Sequence, residues 1–290
     1  MRVSGGEKRM ESCLVLEGGA MRGMYTAGVL DVLMDNSIRM DSVVGVSAGA
    51  LFGVNYLSGQ RGRAIRYNKR YGSDPRYMGI GPLLKEGNIV STDFAYHEVP
   101  VKLDPFDAEA FRDSGVPFYA VCTNVETGEP EYFQIHDVFE QMDTLRASGS
   151  MPMLSHPVDI DGQPYLDGGI SDSIPFQWPA SQGAQKIVVI LTQDKSYRKE
   201  PMNHTLVKLY GRKYPKLAAR LEQRHTQYNQ SVEMLHQWED EGRAFVIRPS
   251  APIEISRIEK DPDKLETVYQ LGLADGRAKL QALMDYLGQK

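Results

Sequence analysis

One serine in this sequence stands in a pattern typical of a catalytic nucleophile. Residues 41–53 predict a strand, a tight turn and a helix, with Ser47 at the turn between Gly45 and Gly49. This G-x-S-x-G spacing is that of a nucleophile elbow, where a strained turn approaches its neighbours so closely that only glycine fits on both sides of the serine. A glycine-rich turn whose serine merely caps the helix has the same pattern, so this segment alone leaves catalysis open.

A glycine-rich loop near the N-terminus is the second candidate for chemistry. The segment Gly18-Gly-Ala-Met-Arg-Gly23 follows an apolar strand and precedes an amphipathic helix, so its N–H groups can bind an anion. A dinucleotide-binding loop would need an acidic residue at the end of the next strand, but Asp41 precedes that strand and Ser47 ends it. An oxyanion hole beside the serine is the favoured interpretation, because acyl transfer requires such donors.

Asp167 is the candidate for a catalytic base. It ends a strand of a predicted hairpin and is followed by two glycines, which also fits a simple turn. A nucleophilic Ser47 needs a group that accepts its proton. The α/β-hydrolase order would supply His204, His225 or His236, but each lies in a polar helical pattern. A serine–aspartate pair needs no histidine, since the carboxylate can accept the proton itself.

Alternating strands and helices position these candidates, and they predict an α/β fold with three layers, α/β/α, around a mainly parallel sheet. Residues 186–192 are apolar throughout, as a buried parallel strand requires, and residues 243–248 predict the last strand. We expect a catalytic core over residues 1–195, a helical segment and last strand completing it over 196–250, and a C-terminal helical appendage over 251–290.

Composition limits the possible partners and locations. The net charge of −5 argues against a nucleic-acid partner, and the 41% hydrophobic content is enough for a sizeable core. Cys13 and Cys122 lie in apolar runs typical of buried thiols, and no Cys/His cluster has zinc spacing, so we predict no metal site. Residues 1–12 lack the apolar core of a secretory signal, and no segment approaches the ~18 apolar residues of a membrane span, so a cytoplasmic protein is expected.

Residues 60–77 are both basic and aromatic, and two interpretations remain open. A solvated helix face is the commoner meaning of such a stretch; the alternative is peripheral contact with the anionic head groups of a membrane surface, such as the inner membrane. Residues 79–100, rich in glycine and proline, predict a lid or a long loop. The charged and aromatic members are Arg61, Arg63, Arg66, Lys69, Arg70 and Arg76 with Tyr67, Tyr71 and Tyr77.

Four blocks within residues 14–175 resemble the patatin-like phospholipases, and they occur in that family's order. The glycine-rich loop looks like the family's oxyanion loop, and Gly45-Val-Ser-Ala-Gly49 matches its serine elbow. Residues 147–152 are similar to an Ala-Ser-x-x-x-Pro block, and Asp167-Gly-Gly matches the Asp-Gly-Gly/Ala block. The loop departs from the family at Ala20, usually a third glycine; alanine keeps the N–H donor, so the hole should survive if the backbone needs no positive φ there.

The resemblance implies a patatin-like fold and a catalytic dyad, with Ser47 as nucleophile and Asp167 as base. It implies a lipid acyl hydrolase of the phospholipase A or lysophospholipase type, which forms an acyl-enzyme and needs no metal or organic cofactor. The alternatives are an acyltransferase or thioesterase with the same dyad, and a non-catalytic lipid-binding protein. The natural lipid and the oligomeric state are not predicted. The implied oxyanion hole is Gly18, Gly19, Ala20, Arg22 and Gly23, and the implied elbow glycines are Gly45 and Gly49.

Overall fold

The computed structural model describes residues 11–289, apart from the side chains of Leu206 and Leu209. Its centre is one eight-stranded sheet. The strands are β1 (Ser12–Leu16), β2 (Ser42–Val46), β3 (Phe118–Asn124), β4 (Pro130–Ile135), β5 (Val158–Ile160), β6 (Gln163–Asp167), β7 (Lys186–Ile190) and β8 (Ala244–Ile247).

The strand order is β5-β6-β3-β2-β1-β7-β8, and β4 pairs with β3 beside this row. Strands β3, β2, β1, β7 and β8 run parallel, whereas β4, β5 and β6 form antiparallel pairs. Side chains of the parallel strands alternate between two cores: Leu14 and Leu16 face one, and Cys13 and Val15 face the other. Both faces of the sheet are therefore buried, which explains the continuous apolar runs in the sequence.

Helices cover both faces and complete the three layers, so the predicted mainly parallel α/β/α fold is confirmed. Helices α1, α2, α3 and α10 pack on the Leu14 face, and α7 and α9 pack on the Val15 face. No helix in the described chain combines the length and the apolar character that a membrane span requires. The helices are α1 (Gly23–Asp35), α2 (Ala48–Leu57), α3 (Arg63–Tyr71), α4 (Ile80–Glu86), α5 (Ala108–Asp113), α6 (Met142–Ser148), α7 (Gln177–Ser181), α8 (His204–Gly211), α9 (Pro215–Asp240) and α10 (Pro262–Leu287), with a wide π-type helix at Thr92–Leu103.

The predicted C-terminal helical segment is the single helix α10, and it packs closely along α1. A Cβ on Gly28 would lie 2.3 Å from the Tyr269 carbonyl oxygen, and one on Gly272 would lie 2.1 Å from that of Tyr25. The two backbones therefore approach each other where only glycine fits. Buried Leu273 continues the same contact into the core, so α10 belongs to the helical layer. The division of the chain at residues 195 and 250 stays a prediction.

The basic stretch at residues 60–77 buries its tyrosines and Arg63, whereas its other arginines are exposed. Arg63 is only 5% exposed, and Tyr67 lies beside it in the core. Arg63 and Arg66 both pair with the carboxylate of Asp104, at 3.3 and 2.7 Å. Asp104 pairs with Arg63 in particular, because a charge buried among aromatic rings is costly without a partner. Arg61, Arg66, Arg70 and Arg76 are exposed, as a solvated helix face predicts, and only Arg63 departs from that interpretation. Contact with anionic lipid stays a prediction.

The glycine- and proline-rich segment at residues 79–100 is more regular than the predicted loop. It contains α4 and the beginning of the π-type helix. Ser91 begins that helix, and its hydroxyl accepts the backbone N–H of Phe94 at 3.0 Å. Val90, Tyr96 and Val99 of this segment line a cavity that Ser47 also lines.

Candidate active site

Ser47 lies at a strained turn between β2 and α2. Its backbone has φ 54° and ψ −123°, a conformation that costs free energy in a residue with a side chain. A Cβ on Gly45 would lie 2.7 Å from the Ala50 nitrogen, and one on Gly49 would lie 2.4 Å from the Leu16 carbonyl oxygen. The serine hydroxyl makes no capping hydrogen bond to α2, so the alternative of a simple helix cap is wrong. The elbow geometry predicted from the glycine spacing is present.

The hydroxyl of Ser47 donates instead to Asp167, although 120 residues separate the two in the chain. Ser47 Oγ lies 2.7 Å from Asp167 Oδ2, and both residues are buried. The other carboxylate oxygen accepts the backbone N–H of Gly169 at 2.7 Å. Strand β6 delivers Asp167 opposite Cys122 of β3, and Thr123 donates its hydroxyl to the Asp167 carbonyl at 2.8 Å. The aspartate is thus fixed at both its backbone and its carboxylate.

Two further serines hold this pair in place, and sequence reasoning gave them no role. Ser47 N–H donates to Ser148 Oγ at 2.9 Å, and that hydroxyl donates to the Val121 carbonyl at 2.7 Å. The Asp167 N–H donates to the carbonyl oxygen of Ser150 at 2.9 Å. Both serines belong to the block at residues 147–152, whose spacing was noted only for its family resemblance. Its function is evident once α6 is seen to end between Ser47 and Asp167.

The glycine-rich loop lies directly against Ser47. A Cβ on Gly18 would stand 3.0 Å from the Ser47 Cβ, and one on Gly19 would stand 2.6 Å from Thr192 Oγ1. Within residues 11–289, no acceptor takes the backbone N–H groups of Gly18, Gly19 or Ala20. Ala20 has φ +48°, so the backbone does require a positive φ at the position where the sequence departs from glycine. This alanine keeps its N–H donor but adopts a strained conformation.

The last two residues predicted for the oxyanion hole take a different part in the loop. Arg22 N–H donates to the Gly19 carbonyl at 3.1 Å, and Gly23 N–H donates to carbonyls of the preceding turn, so neither is free for an oxyanion. Gly23 instead allows α1 to pass α2, since a Cβ there would lie 2.8 Å from the Ala48 Cβ. The Arg22 side chain lines a cavity, and its buried Nε has no partner in the described part of the chain.

Two cavities meet at Ser47. The first, which we call the apolar cavity, has a volume of about 120 Å³. The second, the polar cavity, has a volume of about 600 Å³ and also contains Asp167. A lipid ester needs this combination, an apolar wall for its acyl chain and a polar wall for its head. Ser47 shares the apolar cavity with Leu51, Phe52, Met78, Tyr96, Val99 and Leu145, and it shares the polar cavity with Glu17, Gly19, Lys199, Arg224 and Arg257.

Opposing influences act on the Asp167 carboxyl. Burial raises its pKa, and this is the largest effect. The hydrogen bond from Ser47, the charge of Arg224, the N–H of Gly169 and the charge of Arg257 each lower it in part. The net pKa is raised above the ordinary aspartate value, so the group is poised closer to neutral pH than a surface carboxylate.

None of the three histidines considered for a triad hydrogen-bonds Ser47 in residues 11–289. His204 pairs with Glu222 at 2.9 Å, and burial lowers the pKa of His236. His225 lines the polar cavity, but its Nε2 contacts Thr226. Residues 11–289 also contain no group of three or more His, Cys, Asp or Glu side chains arranged to hold a metal ion.

Comparison with known proteins places this site in a family. Residues 14–178 match the family described as "Patatin-like phospholipase", and residues 214–288 match a second family, described as "Domain of unknown function (DUF6363)". The chain is 30% identical over 285 residues to "Uncharacterized protein YjjU" of Escherichia coli K12, which covers 96% of this chain and 79% of that protein.

More distant relatives are longer proteins. "Lysophospholipase NTE1" of Scheffersomyces stipitis is 26% identical over 66% of this chain, and "Neuropathy target esterase sws" of Drosophila melanogaster is 27% identical over 61%. In both, the match spans only 12% of the relative's length. The crystal structure of VipD from Legionella pneumophila aligns over 95% of this chain and 67% of its own, with a TM-score of 0.45 and 13% identity. The chain belongs to the patatin-like phospholipase family.

Proposed function

We propose that the chain is a serine lipid acyl hydrolase, a carboxylic ester hydrolase of the phospholipase A or lysophospholipase type. The observation that carries the proposal is the 2.7 Å hydrogen bond from Ser47 to Asp167, made where an apolar and a polar cavity meet. Family membership and the lysophospholipase relatives support lipid hydrolase activity. The family resemblance implies the dyad, which the contact between Ser47 and Asp167 supports, and a serine nucleophile implies the acyl-enzyme.

The first half of the proposed reaction forms an acyl-enzyme. Ser47 Oγ attacks the ester carbonyl carbon while its proton passes to Asp167, its hydrogen-bond partner. The oxyanion that develops accepts hydrogen bonds from the free N–H groups of Gly18, Gly19 and Ala20. When the oxyanion collapses, the bond to the alcohol breaks, and the alcohol oxygen takes the proton from Asp167.

Water completes the reaction in the second half. It attacks the acyl carbon on Ser47 while Asp167 accepts one of its protons, and the same backbone donors hold the new oxyanion. Collapse breaks the bond to Ser47 Oγ, which regains a proton from Asp167, and the fatty acid leaves. Losing one oxyanion donor typically costs about 10²–10³ in kcat, so the glycine-rich loop should matter nearly as much as the dyad.

Replacing Ser47 by alanine tests the nucleophile directly. We expect Ser47→Ala to abolish hydrolysis of a 1-monoacylglycerol, because no other hydroxyl occupies the elbow. A fluorophosphonate should label the parent protein at Ser47 and leave the variant unlabelled. Release of free fatty acid and labelling, followed by mass spectrometry, are the two readouts.

Ser181→Ala is the matched control, since this exposed serine on α7 has only local partners: it donates to the Trp178 carbonyl and accepts from the Gln182 amide. It should keep parental activity. Substantial turnover by folded Ser47→Ala protein would contradict the proposal, and an unlabelled, inactive parent would favour a lipid-binding protein. Transfer of the acyl group to an added alcohol in preference to water would identify an acyltransferase with the same dyad.

A further inference from the structure

Besides Arg22 and Arg198, the lining of the polar cavity contains three cations: Lys199, Arg224 and Arg257. Lys199 follows β7, Arg224 lies on α9, and Arg257 precedes α10. All three lie outside residues 14–178, the part that matches the patatin-like description. The Arg257 carbonyl accepts the N–H of Met21 at 3.4 Å, so its loop lies against the glycine-rich loop. Distant segments of the chain thus bring positive charge beside Ser47.

These cations form no ion pair with the described residues, although Asp167 and Glu17 are near enough to feel their charges. Among residues 11–289, no carboxylate lies within ion-pair distance of any of the three. Arg224 Nε donates to the Gly169 carbonyl at 2.5 Å, and the Lys199 ammonium lies 4.2 Å from the centre of the Tyr228 ring. Both contacts orient a side chain without removing its charge. A cluster of cations without ion pairs is costly in a cavity unless an anion binds there.

Two carboxylates in the same cavity, Glu17 and Asp167, already have donors of their own. Glu17 accepts the backbone N–H of Thr192 at 2.5 Å and the hydroxyl of Tyr228 at 2.7 Å. Asp167 accepts from Ser47 and from the Gly169 backbone. The hydrogen-bond donors of Glu17 and Asp167 are therefore not the three cations, whose remaining N–H groups are available to a ligand.

The pKa of Lys199 is affected by the neighbouring positive charges. Burial and the nearby charge of Arg224 lower its pKa to about 7, with Arg22 and Arg257 adding to the decrease and Glu17 partly opposing it. A bound anion would reverse this effect and keep the lysine charged.

We propose that Lys199, Arg224 and Arg257 bind the anionic phosphate of a lipid head group while the acyl chain enters the apolar cavity. The inference rests on the proposed function, because it places the scissile ester at Ser47 between the two cavities. Arginine pairs with phosphate through two parallel N–H donors, and lysine adds a point charge. The enzyme should therefore prefer a substrate with a net negative head group over a neutral acyl ester.

Binding to the inactive Ser47→Ala protein tests this without turnover. Calorimetry would compare lysophosphatidic acid with a 1-monoacylglycerol of the same acyl chain, both below their critical micelle concentrations. We expect lysophosphatidic acid to bind at least about tenfold more tightly, the factor that one charge-assisted hydrogen bond typically supplies. Adding Lys199→Gln or Arg257→Gln should each remove most of this preference. Arg257 is exposed and Lys199 is half-buried without an ion pair, so neither loss should unfold the protein.

Lys195→Gln is the matched control: Lys195 is an exposed lysine four residues before Lys199 and does not line the cavity. It should keep the full preference. Equal binding of the two lipids, or a preference that survives both Lys199→Gln and Arg257→Gln, would overturn the inference while leaving the Ser47 hydrolase intact. Inorganic phosphate is the third probe. If it binds through Lys199 while the two lipids bind equally, the site takes free phosphate, and the head-group assignment is wrong.

Discussion

Asp167 must be ionised to accept the proton of Ser47, so the charges around its carboxylate set the pH range of activity. Burial raises its pKa, and the Ser47 hydroxyl, Arg224, the Gly169 N–H and Arg257 lower it in part. Because the base is active only when deprotonated, the rate should fall as the pH drops through this raised pKa. The acid limb of the pH profile is thus a property of one residue and its neighbours.

Arg224→Gln should move that acid limb to higher pH. Removing the positive charge raises the pKa of Asp167, so the base is lost to protonation earlier as the pH decreases. A nearby opposite charge typically shifts a carboxyl by about 1 unit or more. The measurement is kcat/KM against pH with a neutral monoacylglycerol. Arg220→Gln is the control, since Arg220 lies on the same helix but pairs with Glu129 at 2.6 Å; superimposable profiles for parent and Arg224→Gln would contradict the account.

Ala20 is strained where the family usually has glycine. A non-glycine residue with φ near +48° costs about 1–2 kcal/mol, part of which the stiffer unfolded chain offsets. We expect Ala20→Gly to raise the free energy of unfolding by up to about 1 kcal/mol and to keep activity within a few-fold, because the N–H donor is retained. Ala20→Val should do the opposite. Denaturant unfolding of the three proteins would decide, and a glycine variant less stable than the parent would refute the strain.

Helix α4 presents apolar side chains to solvent beside the apolar cavity. Ile80 and Leu84, one turn apart on the same face, are 74% and 83% exposed. The helix lies between Met78 and Val90, which pair in a β-bridge and both line that cavity. Solvent-exposed leucine and isoleucine beside the apolar cavity are suited to contact a lipid surface. We expect α4, more than the largely buried α3, to make the predicted peripheral contact.

The double variant Ile80→Ser with Leu84→Ser should bind phospholipid vesicles at least about tenfold more weakly, since each buried aliphatic side chain is worth about 1.5–3 kcal/mol. Vesicle co-sedimentation at low and high salt is the measurement. Met234→Ser, a partly exposed methionine on α9, is the control and should bind like the parent. Unchanged binding by the double variant, together with loss of parental binding in salt, would assign the contact to exposed cations such as Arg70.

At the scale of the whole molecule, the sheet brings together residues that the sequence keeps far apart. Glycine spacing and a hairpin turn, which are short-range signals, mark the local conformation of Ser47 and Asp167, but their assignment as a pair came from the family resemblance. The support from Ser148 and the cations at Lys199 and Arg257 could not be predicted, since they depend on which segments become neighbours in the fold. The burial of Arg63 was missed for the same reason: a basic helix face has one pattern whether water or Asp104 neutralises it.

The most direct test of the serine–aspartate dyad is kcat/KM of Asp167→Asn on one monoacylglycerol, compared with the parent. Asparagine keeps the shape of the side chain but cannot accept the proton, so the rate should fall by about 10²–10⁴, the value of a general base. His204→Ala, His225→Ala and His236→Ala, measured beside it, should each keep most of the activity. A folded Asp167→Asn protein that is nearly as active as the parent, or a folded histidine variant that is inactive, would contradict the dyad and favour a serine–histidine enzyme.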